Sequence, residues 1–165
     1  MVDAARIMAR CEALARHSEL PGGLTRVFLS AQGCAAAADV LRWMQEAGMQ
    51  ARLDAIGNVH GRYEGAAPGA PCLLLGSHLD TVRDAGRYDG ILGVVSAIEC
   101  VHSLSARSIR LPHAVEVVGF GDEEGVRFGT TLLGSRAVAG VLERAVLETR
   151  DADGVSIADA CAAGT

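Results

Sequence analysis

A chain of 165 residues, half of them hydrophobic and 21% charged, is long enough to bury one genuine core and too ordinary in composition to be disordered or fibrous. Its net charge of −5 argues against a nucleic-acid partner, because phosphate binding needs a basic face from which counterions are released, and no apolar run approaches the ~20 residues that span a bilayer. The expected partner is therefore a small molecule, with no nucleic acid and no membrane, and the opening Met1-Val2-Asp3-Ala4-Ala5-Arg6 lacks the basic-then-apolar order of a secretory signal, so a cytoplasmic location is expected.

Ile7, Met8, Cys11, Leu14 and Ala15 fall at helical spacing, which predicts an amphipathic helix ending near His17, ahead of Pro21-Gly22-Gly23. A second helix is predicted from Gln32 to Ala47, with Val40, Leu41, Met44 and Ala47 on one face and Gly48 as its left-handed stop. Two short strands, Gln50 to Ala55 and Val59 to Tyr63, flank Ile56-Gly57-Asn58, whose Gly and Asn tolerate the positive φ of a tight hairpin turn. After the loop Pro68-Gly69-Ala70-Pro71, the continuous apolar run Cys72 to Gly76 reads as a strand covered on both faces. Ile91 to Leu104 reads as a buried helix and Val115 to Phe120 as a second β-branched strand. The order strand, helix, strand predicts a βαβ unit with a right-handed crossover and parallel strands. Thr131 to Val141 mixes loop and helix signals, and Ser156 to Ala163 resembles a helix cut short. The five cysteines, Cys11, Cys34, Cys72, Cys100 and Cys161, lack CxxC spacing and read as small buried hydrophobes rather than a disulfide framework or zinc knuckle.

In open α/β sheets, ligands gather beyond the carboxyl ends of the strands. Ser77-His78-Leu79-Asp80 follows the first parallel strand, Arg87-Tyr88-Asp89-Gly90 precedes the buried helix, and Gly121-Asp122-Glu123-Glu124-Gly125 follows the second strand. These three loops are predicted to meet at one rim, crowding an imidazole with several carboxylates whose mutual repulsion divalent cations would relieve. That mixture of donors suits zinc, with manganese or cobalt as the oxygen share rises. In His-x-Asp on extended backbone both side chains point the same way, so the Asp80 carboxylate is expected to accept from the His78 ring nitrogen that does not face the metal. Asp89 is placed to bridge two metals, and one of the adjacent Glu123 and Glu124 is expected to bind metal while the other acts as a base. Asp122 reads as a solvated neighbour or loop anchor, and Arg127 as a member of a structural ion pair more readily than a substrate contact. His17, His60, His102 and His113 lie outside the three loops and are assigned surface or packing roles. Arg83 and Arg87 read as solvated or charge-balancing, and Met44 with Trp43 as helix packing. Gly119-x-Gly121-x-x-x-Gly125 is not a dinucleotide loop, since its spacing is one residue too long and acids sit where pyrophosphate would lie.

Three segments carry a resemblance: Gly76-Ser77-His78-Leu79-Asp80-Thr81-Val82, then Gly86 to Val94 around Asp89, then Asp122-Glu123-Glu124-Gly125-Val126-Arg127-Phe128. In this order they resemble the allantoate amidohydrolase and N-carbamoyl-L-amino acid hydrolase branch of the co-catalytic zinc aminoacylase and carboxypeptidase family. Gly22-Gly23-Leu24-Thr25-Arg26, Ile56-Gly57-Asn58-Val59 and Gly134-Ser135-Arg136 add to the match. The resemblance implies an α/β fold, a mostly parallel central sheet with flanking helices in a zinc-peptidase-like catalytic domain, of which residues 1–165 form the N-terminal portion. It implies two divalent metal ions, with His78 on the first, Asp89 bridging, Glu124 on the second, Glu123 as general base and Asp80 orienting His78. A bridging hydroxide would attack the amide carbon of a ureido substrate, allantoate first and N-carbamoyl-L-amino acids second. The resemblance further implies two more histidine ligands from segments beyond Thr165, and a second domain that makes a homodimer of the full-length protein. The chain is thus expected to be truncated. A reading from another class is that these 165 residues alone are a catalytically silent folding fragment or interaction module.

Overall fold

Residues 1–164 are described by a computed structural model. Helix α1 (Ala4–Ala15) starts where the Asp3 carboxylate accepts the Arg6 N–H at 3.2 Å, and helix α2 (Ala31–Glu46) where Ser30 Oγ accepts the Gly33 N–H at 3.1 Å. Each cap satisfies an amide that the helix leaves without an internal partner. Strands β1 (Gln50–Leu53) and β2 (Val59–Tyr63) form an antiparallel hairpin. The first of them stops short of Ala55, because Asp54 turns the chain: its carboxylate accepts the N–H groups of Ile56 and Asn58 at 3.0 and 2.9 Å while Gly57 takes φ +83°.

Strand β3 (Cys72–His78), helix α3 (Ile91–Ser105) and strand β4 (Ala114–Phe120) supply the expected parallel pair, with Cys72 opposite Ala114 and His78 opposite Phe120. The class is α/β with flanking helices, yet the sheet is mixed: its order is β1-β2-β4-β3, and β2 pairs antiparallel with both β1 and β4. The hairpin, read correctly as two strands, adds to the parallel pair through the edge of β4 that faces away from β3. The other correction concerns β3. Its apolar run predicts burial on both faces, but among the described residues it is an edge strand, and Leu73 and Leu74 remain 47% and 48% exposed. Helix α4 (Leu133–Val138), a 3-10 turn (Arg144–Glu148) that no pattern in the sequence predicts, and helix α5 (Ile157–Gly164) follow β4 among the described residues.

The three long helices share one core with the sheet, built on Cys11, Leu14, Val40, Trp43, Met44, Val59, Val94, Ile98 and Val117. Burial of this size drives folding at roughly 25 cal/mol per Å² of apolar surface. On α3 the fully buried Glu99 accepts the Asp3 N–H at 3.1 Å and lies 3.1 Å from Arg6 Nε, tying the start of α1 to the core. A second, smaller cluster of Phe28, Ile56, Phe128, Leu133, Ile157 and Cys161 lies beneath the chain that follows β4. No disulfide joins the cysteines among the described residues; Cys11 and Cys161 are buried as expected, whereas Cys72 and Cys100 are exposed. No helix among the described residues is long and apolar enough to cross a membrane.

Candidate metal centre

Parallel pairing places the ends of β3 and β4 side by side, and the Leu79 N–H extends the ladder to Phe120 O at 2.9 Å. The chains leaving those ends, Leu79-Asp80-Thr81 and Gly121 to Gly125, are therefore adjacent before any side chain is considered. The third loop is brought in by a γ-turn at Gly90. Its φ of 65° and ψ of −54° let the Ile91 N–H return to Asp89 O at 2.6 Å, and α3 starts directly afterwards. A Cβ at Gly90 would lie 2.6 Å from His78 Cε1 and from His78 O, so glycine is what allows Asp89 to reach the histidine.

His78, Asp89 and Glu124 each offer a ligand atom, and these atoms lie within 4.8 Å of one another. His78 Nε2 is 3.6 Å from Asp89 Oδ1, with the imidazole largely covered and the Asp89 side chain 51% exposed. The other ring nitrogen, Nδ1, lies 2.9 Å from the main-chain oxygen of Asp80. A carbonyl only accepts, so Nδ1 carries the proton and Nε2 presents its lone pair toward Asp89 and Glu124.

This corrects the expected use of Asp80. Its carboxylate is 3.9 Å from Nδ1 and instead accepts the N–H groups of Glu123 and Glu124, both at 3.1 Å. One residue thereby anchors two loops, the histidine through its carbonyl and the glutamate pair through its side chain. Glu123 contributes no atom to the three-residue ligand cluster. Above all burial, with Glu123, Asp89 and Asp80 adding and His78 opposing, pushes the Glu124 carboxyl above its ordinary value. One imidazole nitrogen and two carboxylates under mutual repulsion are the donors that a divalent cation accepts, and the three residues fit one.

Asp122 is not solvated. It is fully buried at φ +53°, no hydrogen bond from the described residues reaches either carboxylate oxygen, and burial reinforced by Asp80 pushes it up to about 7 against the pull of Arg127. It anchors the loop through its carbonyl, which accepts the Leu133 N–H at 3.1 Å. Arg127 forms the structural ion pair, with Nε 2.9 Å from Asp151 and Nη1 donating to the carbonyls of Phe28 and Leu29. His17 contacts Asp39 at 2.9 Å, His102 lies 3.4 Å from Arg6 Nη1, and none of His17, His60, His102 and His113 joins the metal cluster. Arg83 is exposed, while Arg87 pairs with Glu12 at 2.8 Å. Trp43 and Met44 pack in the core.

The sequence reading missed two buried organisers. Asn58 accepts the Gly121 N–H at 3.0 Å and donates to Asp54 and to Gly134 O at 2.9 and 3.1 Å, tying the hairpin turn to the root of the acidic loop. Arg26 Nε donates to the Leu79 carbonyl, between His78 and Asp80, at 2.9 Å. Asn58 stands in Ile56-Gly57-Asn58-Val59 and Arg26 in Gly22-Gly23-Leu24-Thr25-Arg26, and no charge pattern marks either.

The family model of peptidase family M28 matches residues 58–162. Allantoate deiminase 1 of Glycine max is 47% identical over 92% of this chain and 32% of its own length. The N-carbamoyl-L-amino acid amidohydrolase of Geobacillus stearothermophilus is 42% identical over 97% of this chain and 39% of its own. A hydantoinase/carbamoylase family amidase from Burkholderia ambifaria superposes with a TM-score of 0.92 at 35% identity, over 98% of this chain and 40% of that one. The chain thus spans between 32% and 39% of the length of these two curated relatives.

Proposed function

The chain belongs to peptidase family M28, and from that membership we propose that residues 1–165 are the N-terminal portion of the catalytic domain of a metal-dependent amidohydrolase cleaving ureido C–N bonds. Allantoate is the first substrate, converted to ureidoglycine or ureidoglycolate with ammonia and carbon dioxide as a step of purine catabolism. N-carbamoyl-L-amino acids are the alternative. The reading rests on the convergence of His78, Asp89 and Glu124 within 4.8 Å, beside a glutamate that stands outside the ligand set. The run Glu123-Glu124-Gly125-Val126-Arg127-Phe128 and the names of the relatives support a ureido rather than a peptide substrate.

Two ions are proposed, zinc or manganese, with cobalt as a further option: His78 and Asp89 would hold one, Asp89 and Glu124 the other. Bound there, such ions polarise a substrate carbonyl and bring the pKa of water to about 7. Glu123 takes a proton from the attacking water on its carboxylate and returns it to the departing nitrogen, a role that contributes typically ~10²–10⁴-fold. Asp80 keeps the glutamate pair in place by its two amide contacts and keeps the His78 proton on Nδ1. The full-length protein is proposed to be a cytoplasmic homodimer. The test is ammonia release from allantoate and from N-carbamoyl-L-amino acids by the zinc- or manganese-loaded protein; cleavage of a dipeptide or an N-acyl amino acid, with no ammonia from either substrate, would move the reading to a peptidase. The exposed leucines of β3 favour a second reading, a catalytically silent interaction module, against which tight calorimetric binding of two zinc equivalents would count.

A further inference from the structure

The segment Gly22-Gly23-Leu24-Thr25-Arg26 plays no part in the chemistry proposed above, yet it lies directly behind the metal loop. Arg26 is fully buried. Its Nε donates to Leu79 O at 2.9 Å, which is the carbonyl of the residue between His78 and Asp80. Its Nη1 donates to Leu14 O at 2.8 Å and His17 O at 3.3 Å, at the C-terminal end of α1, where a cation is favoured by the helix dipole. The main chain doubles the grip: the Arg26 N–H donates to Thr81 Oγ1 at 2.8 Å, and the Thr81 N–H donates to Arg26 O at 3.0 Å. Thr25 Oγ1 accepts the Asp84 N–H at 3.0 Å further along the same loop.

A buried guanidinium is costly to desolvate, and a core need not contain one to be stable, since apolar replacements of similar volume often serve as well. What an arginine offers here is rigid, planar donation to two separate pieces of chain at once. One piece is the end of α1. The other is Leu79-Asp80-Thr81, whose central residue holds His78 Nδ1 by its carbonyl and the Glu123 and Glu124 amides by its carboxylate. Asp80 is also the anion whose field offsets the burial of the guanidinium.

We infer that Arg26 is a positioning residue for the metal centre: by clamping Leu79 O and Thr81 it fixes Asp80, and through Asp80 it sets the tautomer and direction of His78 and the placement of Glu123 and Glu124. The inference rests on reading His78, Asp89 and Glu124 as metal ligands. Arg26→Met keeps the volume and removes the fork; Arg26→Lys keeps the charge but cannot reach Leu79 O and Leu14 O together. Val40→Ala, a core change away from the loop, controls for lost stability.

Two readouts on this chain separate the outcomes. The first needs no metal: ¹⁵N NMR of the His78 ring and hydrogen exchange at the Glu123 and Glu124 amides. Wild type is expected to hold the Nδ1–H tautomer with protected amides, and Arg26→Met to mix tautomers and exchange about tenfold faster, with Arg26→Lys between them. The second is cobalt(II) titration followed by its d–d absorption, where Arg26→Met is expected to bind about tenfold or more weakly with an altered band, and Val40→Ala within about twofold of wild type. The inference is overturned if folded Arg26→Met leaves the His78 shifts and both amides unchanged, or if Val40→Ala moves them equally. Should Arg26→Met fail to fold, the same signals in Arg26→Lys decide the matter, and their staying at wild-type values overturns it. Failure of wild type to bind cobalt, with the His78 and glutamate signals still responding to Arg26, leaves the positioning role standing and removes the metal reading alone.

Discussion

Replacing His60 with phenylalanine tests whether a charged clamp holds the hairpin to the centre of the sheet. His60 sits on β2 with 8% of its side chain exposed, and its two ring nitrogens lie 3.0 Å from Asp54 and 3.1 Å from Glu116. Both partners are carboxylates, so both contacts are satisfied as hydrogen bonds when the ring is an imidazolium and both nitrogens donate, the form this arrangement favours. The hydrogen bond to Asp54, helped by Glu116 and opposed by burial and by Arg52, holds the imidazole above its ordinary pKa. Burial raises the Asp54 carboxyl, yet the bonds from His60, Asn58 and Ile56 outweigh it and hold the group below its ordinary value. Arg62, 3.7 Å from Glu116, faces the same cluster.

Hydrogen bonds to charged partners contribute about 1.5–3 kcal/mol each, and desolvation of the ions offsets part of the sum. The expected cost of His60→Phe is about 3 kcal/mol where the clamp is charged, a large share of a typical domain stability of roughly 5–15 kcal/mol. Because the folded pKa is raised, the imidazolium contribution is complete below the unfolded value of about 6.5 and disappears as pH rises through the folded value. Because the Asp54 pKa is lowered, its share is present above the unfolded value of about 3.9 and disappears as pH falls through the folded value. Urea unfolding of both proteins should show the largest gap between about pH 4 and 6.5, shrinking as pH rises above that window through the raised folded value of His60. A gap that stays the same across that range, or is below about 0.5 kcal/mol throughout, would refute the charged clamp.

Gly90→Ala forces a side chain into the γ-turn and against the His78 ring at 2.6 Å; a stability loss of about 2 kcal/mol or more is expected in thermal melts, with weaker zinc binding by calorimetry. Asn58→Ala leaves the buried Gly121 N–H without its acceptor and removes the bonds to Asp54 and Gly134, so urea unfolding should register a loss of about 2–4 kcal/mol. Under the proposed amidohydrolase activity, Glu123→Gln should lower ammonia release by the full-length protein by about 10²–10⁴-fold, with zinc affinity close to wild type because Glu123 lies outside the ligand cluster. Asp80→Asn turns one acceptor toward the glutamate amides into a donor, and the exchange of those amides should rise by about tenfold or more.

Local order was legible in the residues themselves. Helical periodicity located α1, α2 and α3, the Gly57-Asn58 turn located the hairpin, apolar and β-branched runs located β3 and β4, and the positions of His78, Asp89 and Glu124 relative to the predicted strand ends led to one rim, where the structure brings their ligand atoms within 4.8 Å. Each of these signals depends on neighbours a few places apart in the chain, or on the rule that parallel strand ends share an edge. What the folded molecule alone decided are the partners of buried polar groups. Asp80 bonds to amides 43 and 44 residues away, Arg26 to a carbonyl 53 away, His60 to Glu116 56 away and Asn58 to Gly121 63 away. No periodicity encodes such pairings, because a buried donor takes whichever acceptor the packing leaves within about 3 Å. The exposure of β3 has the same origin: an apolar strand carries its pattern in its residues, but what covers its outer edge depends on the neighbours that the fold provides.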